Sequence, residues 1–191
     1  MEATEHHEHA EHAHQSGNKR VALLIAILAA ILAFLDHGAK LSQTKAFDSA
    51  IAASDQWNFY QAKSLRMHVL KADADLIANL DELRDPKKAA ARAELEKSWR
   101  ADAQRYDSDP KSGEGRKEIQ ERAKVLEEER DHALHALHSY ETGVSAIQLG
   151  IVLATASIIA EASWLLLLSG GLGLAGIAFG VLGFLASRAP I

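Results

Sequence analysis

No cysteine occurs among the 191 residues. That absence removes disulfide pairing, thiol catalysis, zinc–thiolate sites and iron–sulfur ligation together, while leaving the redox compartment open. No Ser-His-Asp ordering, phosphate-cradling glycine loop or HExxH signature is present, so the chain is read as non-enzymatic. A one-sided basic face is missing too. The formal charge of -5 is made of Lys, Arg, Asp and Glu intermixed, which argues against nucleic acid as a partner. Glycine and proline are absent from residues 43–83, so nothing there interrupts a helix.

What is present is a mosaic that the mean hydropathy of -0.11 conceals. Three apolar runs, 21–35, 144–160 and 164–186, bracket a charged stretch. They predict an all-α protein with three transmembrane helices and a long helical coiled-coil insertion between the first and second. The divisions are a disordered His/Glu-rich tail at 1–18, an anchor at 19–39, the insertion at 40–140 and a transmembrane hairpin at 141–191. Fifteen residues of the first run rise only about 22 Å against a hydrocarbon core of roughly 30 Å, a length that a signal peptide could also have. Residues 34–39 lack two small residues spaced for signal peptidase, and Lys19 and Arg20 can snorkel to lengthen the span. An uncleaved anchor follows. The same two cations place the N-terminus in the cytoplasm and the chain in a bacterial inner membrane as a multi-pass protein, although other cations near membrane ends weaken the asymmetry.

Within the insertion, Ala62, Leu65, Val69, Ala72, Leu76 and Leu83 alternate three and four apart, with Asn79 in the remaining position. This predicts a heptad seam facing the neighbouring helix. Phe47 and Ile51 continue it upstream only if one residue is inserted near Asn58. Asp85 and Pro86 read as an N-cap and first helical position. Residues 107–115 are dense in turn formers and predict an exposed, protease-sensitive loop. Ile119, Ala123, Leu126, Arg130, Ala133, Leu137, Tyr140, Val144 and Ile147 then keep a strict four-three spacing, so one helix should run from the insertion into the second apolar run.

In the last run, Ser169, Gly173, Gly176, Gly180, Gly183 and Ser187 form a stripe of small residues. Lipid gives apolar helices no hydrophobic reason to associate, so close packing relies on such faces. Gly143, Ala146, Gly150, Ala154 and Ser157 offer one on the second helix, and Ala22, Ala26, Ala29 and Ala33 on the first. The stripe predicts tight packing within a three-helix bundle or between copies in a homo-oligomer. The hairpin turn falls either at 161–163, leaving Glu161 in water, or at 169–171, placing Glu161 within the bilayer.

Two sets of histidines offer chemistry. His6, His7, His9, His12 and His14, with Glu5, Glu8 and Glu11 among them, could hold a divalent transition metal, the only cofactor class suggested. His132, His135 and His138 sit where the third predicted helix enters the membrane, and a folded-back insertion would bring Asp36 and His37 to the same level. Steps of three drift about 60° backwards around a helix, so only adjacent pairs could share an ion. Together with Glu161 these residues support a second reading, metal-ion or proton handling by a channel, transport accessory or sensor.

The run from Ser54 through Trp57, Phe59, Tyr60, Gln61 and Lys63, after Asn18-Lys19-Arg20 and an anchor, resembles an uncharacterised bacterial membrane-protein family, domain of unknown function 4337. The resemblance implies the architecture and no activity. Trp57 and Tyr60 at i and i+3 share a face and would form the aromatic plug of a helical bundle or grip a partner helix. The primary reading is a self-associating scaffold or partner-binding protein in contact with membrane lipid, its protein partner unidentified.

Overall fold

A computed structural model describes the backbone of residues 2–79 and 86–188, and the side chains of residues 19–79 and 88–188. The chain is helical, without strands among the described residues: α1 (Glu2–Asn79), α2 (Pro86–Asp107), α3 (Arg116–Ala160) and α4 (Ser163–Arg188). Pro86 opens α2 as expected, whereas Asp85 and Leu83 lie outside the described residues. The helices separate into two compact units, one made of Met1–Ala46 with Asp131–Ile191 and the other of Phe47–Arg130.

In the first unit α1, α3 and α4 form a three-helix bundle centred on Leu28, Leu35, Ala39, Tyr140 and Ile147. Glycine determines how closely they approach. A Cβ on Gly143 would stand 2.8 Å from the carbonyl oxygen of Gly176, and one on Gly150 would stand 3.2 Å from that of Ser169. Here α3 and α4 meet backbone to backbone. Leu28 fills the space beside Gly173, Leu35 that beside Gly180, and the Tyr140 ring lies between Gly38 and Gly183. The expected stripe Ser169, Gly173, Gly176, Gly180 and Gly183 is thus buried inside one chain, while Ser187 is exposed. The alanine face expected on α1 is a correction: Ala22, Ala26, Ala29 and Ala33 are exposed. Holes left by glycine on α4 need large knobs, which α1 supplies from its leucine face at Gly173 and Gly180 and α3 supplies with Ile147 at Gly176 and Tyr140 at Gly183.

α3 ends at Ala160, and Glu161 takes a left-handed φ of 52° before Ser163 begins α4. The N–H of Leu165 closes the turn on the Ala162 carbonyl at 3.1 Å. Left-handed backbone costs a non-glycine residue about 1–2 kcal/mol. The turn is therefore at 161–162 and Glu161 is exposed, whereas Gly170 and Gly171 lie within α4. The exterior of these helices is apolar: Phe34 is 78% exposed, Ile159 81% and Leu167 79%. Three helices, Lys19–Asn79, Arg116–Ala160 and Ser163–Arg188, are long and apolar enough to cross a membrane.

In the second unit the expected seam of α1 is reversed. Leu65, Val69 and Leu76 are exposed, as are Ala62, Ala72, Phe47 and Ile51. Ser49, Ala53, Met67 and Ala74 are buried instead, as are Ala103 of α2 and Ile119 and Ala123 of α3. Small side chains let helix backbones approach closely, so a seam of alanine and serine can be the inner one although it carries less apolar surface. On α3 the expected spacing is the observed one: Ile119, Ala123, Ala133, Tyr140 and Ile147 are buried, and Leu126, Arg130, Leu137 and Val144 half-buried.

Candidate functional site

The second unit gathers aromatic and charged side chains where the loop between α2 and α3 folds back on α1. Trp57 and Tyr60, one helical turn apart, stand edge to face with centroids 5.4 Å apart. The indole N–H of Trp57 donates to Glu127 Oε1 at 3.0 Å, and Ser49 Oγ donates to Glu129 at 3.5 Å. Arg116 lies over the Tyr60 ring at 5.6 Å and donates to Asp107 Oδ1 at 2.6 Å. Lys63, only 13% exposed at its side chain, stands between the rings of Phe59 and Tyr106 at 5.2 and 5.1 Å and pairs with Glu114 at 3.5 Å. A half-buried ammonium needs such company.

The loop between α2 and α3, exposed at residues 110–112 and 114, is held by side-chain bonds. Ser108 Oγ and the Asp109 N–H donate to the two oxygens of Glu118 at 2.6 and 3.2 Å, and the Ser112 N–H donates to Asp109 Oδ1 at 3.3 Å. Arg122 ties the Gly113 carbonyl at 2.6 Å and Gln56 of α1 at 3.3 Å. Gly113 has a φ of 70°, which glycine adopts without strain. A Cβ on Gly115 would run into Glu118, the Asp109 nitrogen and Ser108. Turn-forming residues specify bends but not their bonding, which comes from Glu118 and Arg122 on the next helix.

Every carboxyl shift here points the same way. Asp107 is held below its ordinary value by the hydrogen bond from Lys117 first and by Arg116 after it, against the opposing effect of burial. Asp109 is lowered chiefly by Ser112, and Glu118 chiefly by the Ser108 hydroxyl. These carboxylates are ionised and hydrogen-bonded at neutral pH, poorly suited to giving up or taking a proton. A shallow cavity of about 260 Å³ beside them is lined by Lys63, Asp102, Arg105, Tyr106, Ser112 and Glu114, with charges of both signs. A wider one of about 720 Å³ between α1 and α2 includes Asp75, Glu96 and Arg100, the guanidinium bridging both carboxylates at 2.8 Å.

Of the sequence-predicted residues, Trp57, Phe59, Tyr60 and Lys63 enter this cluster, and Gln61 is exposed. Tyr106, Glu114, Arg116 and Glu127 complete it and were not legible, because each lies on another helix or loop and no spacing within α1 points to it. Asp36 and His37 of α1 lie at the level of Tyr140 on α3, whose ring meets Gly38. His37, His132, His135 and His138 are exposed, Asp36 pairs with Lys40 at 3.0 Å, and no three His, Asp or Glu side chains form a metal-binding set among the described residues. Helical steps of three rotate successive imidazoles apart. In the first unit, Asp36 and Lys40 instead line a cavity of about 500 Å³ with Gln43, Leu137, Glu141 and Ser145. The side chains of His6, His7, His9, His12 and His14 lie outside the described residues.

The model of one protein family, described as a domain of unknown function (DUF4337), matches residues 17–186. The chain belongs to that family. No curated protein and no solved structure matches it. For this DUF4337 chain the family match covers the helices of both units and the aromatic cluster, and the description assigns the cluster no activity.

Proposed function

We propose that this DUF4337 chain is a non-enzymatic, multi-pass protein of the bacterial inner membrane that self-associates and serves as a scaffold for a protein partner. One observation carries the reading of a membrane protein: the first unit packs its helices across Gly143, Gly150, Gly173, Gly176, Gly180 and Gly183 and turns large apolar side chains such as Phe34, Ile159 and Leu167 outward, the arrangement a bundle needs where the solvent is lipid. The three apolar helices are its spans, and Lys19 and Arg20 hold the N-terminus on the cytoplasmic side. The insertion is an antiparallel coiled-coil module. Its aromatic cluster locks the loop before α3 onto α1 through paired charges, giving a stiff surface suited to recognition and leaving no activated nucleophile or poised acid among the residues of the cluster.

The test is the native mass of the full-length protein in a mild detergent, with and without zinc. A discrete oligomer whose mass is independent of metal supports the scaffold. A strictly monomeric protein at high concentration overturns it. A monomer that assembles only with zinc, and loses that response when His6, His7, His9, His12 and His14 are replaced, moves the function to metal handling.

A further inference from the structure

The buried face of α1 leaves its opposite face without a partner among the described residues. Beyond the apolar run, Ala62, Leu65, Val69, Ala72 and Leu76 hold the four-three spacing of a coiled-coil seam, and all are exposed, Leu65 at 66%, Val69 at 49% and Leu76 at 61%. Lone exposed leucines are ordinary on soluble surfaces, but heptad spacing sustained over successive turns fits one kind of occupant, another helix running alongside. The geometry points to a second copy of this chain as that occupant, its α1 packed parallel and in register along residues 62–79; this rests on the self-association proposed above and names the surface that makes it.

Three features select the parallel, in-register arrangement. Placing Ala62, Val69 and Leu76 at the a positions puts Leu65 and Ala72 at d, and a β-branched a residue beside a d leucine favours two strands. Asn79 falls at the next d position; one N–H of its side-chain amide donates to the Asp75 carbonyl of its own helix at 2.7 Å, and the remaining N–H and Oδ1 would meet the counterpart in an in-register pair, whereas a slip would set them against an apolar side chain. The flanks match as well: His68 of one chain reaches Asp73 of the other, Gln61 reaches Arg66, and each pair occurs twice about the two-fold axis. An antiparallel pairing would set Asn79 against Ala62 and call on Asp75, which Arg100 already holds at 2.8 Å. Two copies whose spans share one membrane and one orientation also carry α1 in the same direction.

The absence of cysteine makes the test direct. Leu65→Cys, Val69→Cys and Leu76→Cys are made one at a time in the full chain, with Lys71→Cys, an exposed position off the seam, as reference. Membranes are oxidised and run without reductant, and native mass in detergent is measured in parallel. A disulfide requires Cα atoms within about 7 Å. The expected result is a shift from the 20.7 kDa chain to twice that mass for each seam variant and no shift for Lys71→Cys. A crosslink that forms only when Leu65→Cys and Leu76→Cys chains are mixed shows antiparallel pairing and overturns the inference. An oligomeric native mass without seam crosslinks overturns it while leaving self-association standing, the seam then belonging to a different protein. A monomeric native mass removes both.

Discussion

Replacing Gly176 with alanine adds one methyl group where α3, α4 and Ile147 converge. The new Cβ would lie 2.6 and 2.7 Å from Ile147 Cγ1 and Cδ1 and 2.9 Å from the Gly143 carbonyl oxygen. Carbon atoms rest about 3.5–4.0 Å apart, so Ile147 must move by about 1 Å, and it is completely buried. Its side chain could rotate, but the Gly143 carbonyl is backbone and yields only if the helices separate. Overpacking of this kind costs about 1–3 kcal/mol. In a chain of this size each kcal/mol lowers the melting temperature by about 2–4 °C. Gly170→Ala and Gly171→Ala are matched references, because a Cβ at either position meets nothing within 4 Å. The assay is the temperature at which the detergent-solubilised protein leaves its native peak on size exclusion. Gly176→Ala should melt several degrees below the parent and the two reference variants near it. A Gly176→Ala protein that melts with the parent, or that changes its native mass at an unchanged melting temperature, refutes the assignment of this face to packing within the chain.

Gly115→Ala should open the loop before α3, since its Cβ displaces Ser108 and Asp109 from Glu118; limited proteolysis should then cut within 108–115 faster than in the parent. Trp57→Phe keeps the ring but removes the N–H held by Glu127, a charge-assisted bond worth about 1.5–3 kcal/mol when buried and less at this half-exposed position; denaturant unfolding followed by circular dichroism should show the loss, and an unchanged midpoint would count against the hydrogen bond. The carboxyls of Asp107, Asp109 and Glu118 are lowered in the folded chain. Their stabilisation is thus fully present above the unfolded values of 3.8, 3.8 and 4.5 and is lost as pH falls through the lower folded ones. Glu118→Gln should flatten the acid limb of stability, measured as the pH dependence of the unfolding midpoint, and leave the neutral range less affected.

Composition and periodicity alone determined the three apolar helices, the continuous α3 with its seam from Ile119 to Ile147, and the glycine face of α4. Each depends on local sequence: apolar run length decides whether a helix can span a membrane, and a spacing of three and four places residues on one face. The tertiary structure decided what covers each face. It turned Leu65, Val69 and Leu76 outward and Ser49, Ala53 and Ala74 inward, because the inner seam is chosen by how closely backbones can meet as well as by apolar area. It set the hairpin turn at Glu161, where the two glycines at 170 and 171 had offered an alternative: Glu161 takes the left-handed backbone, and both glycines lie within α4. It assembled the cluster around Lys63 from three helices and a loop. A helix has two sides, and periodicity identifies an apolar one without naming its neighbour. Only the partners' shapes do that.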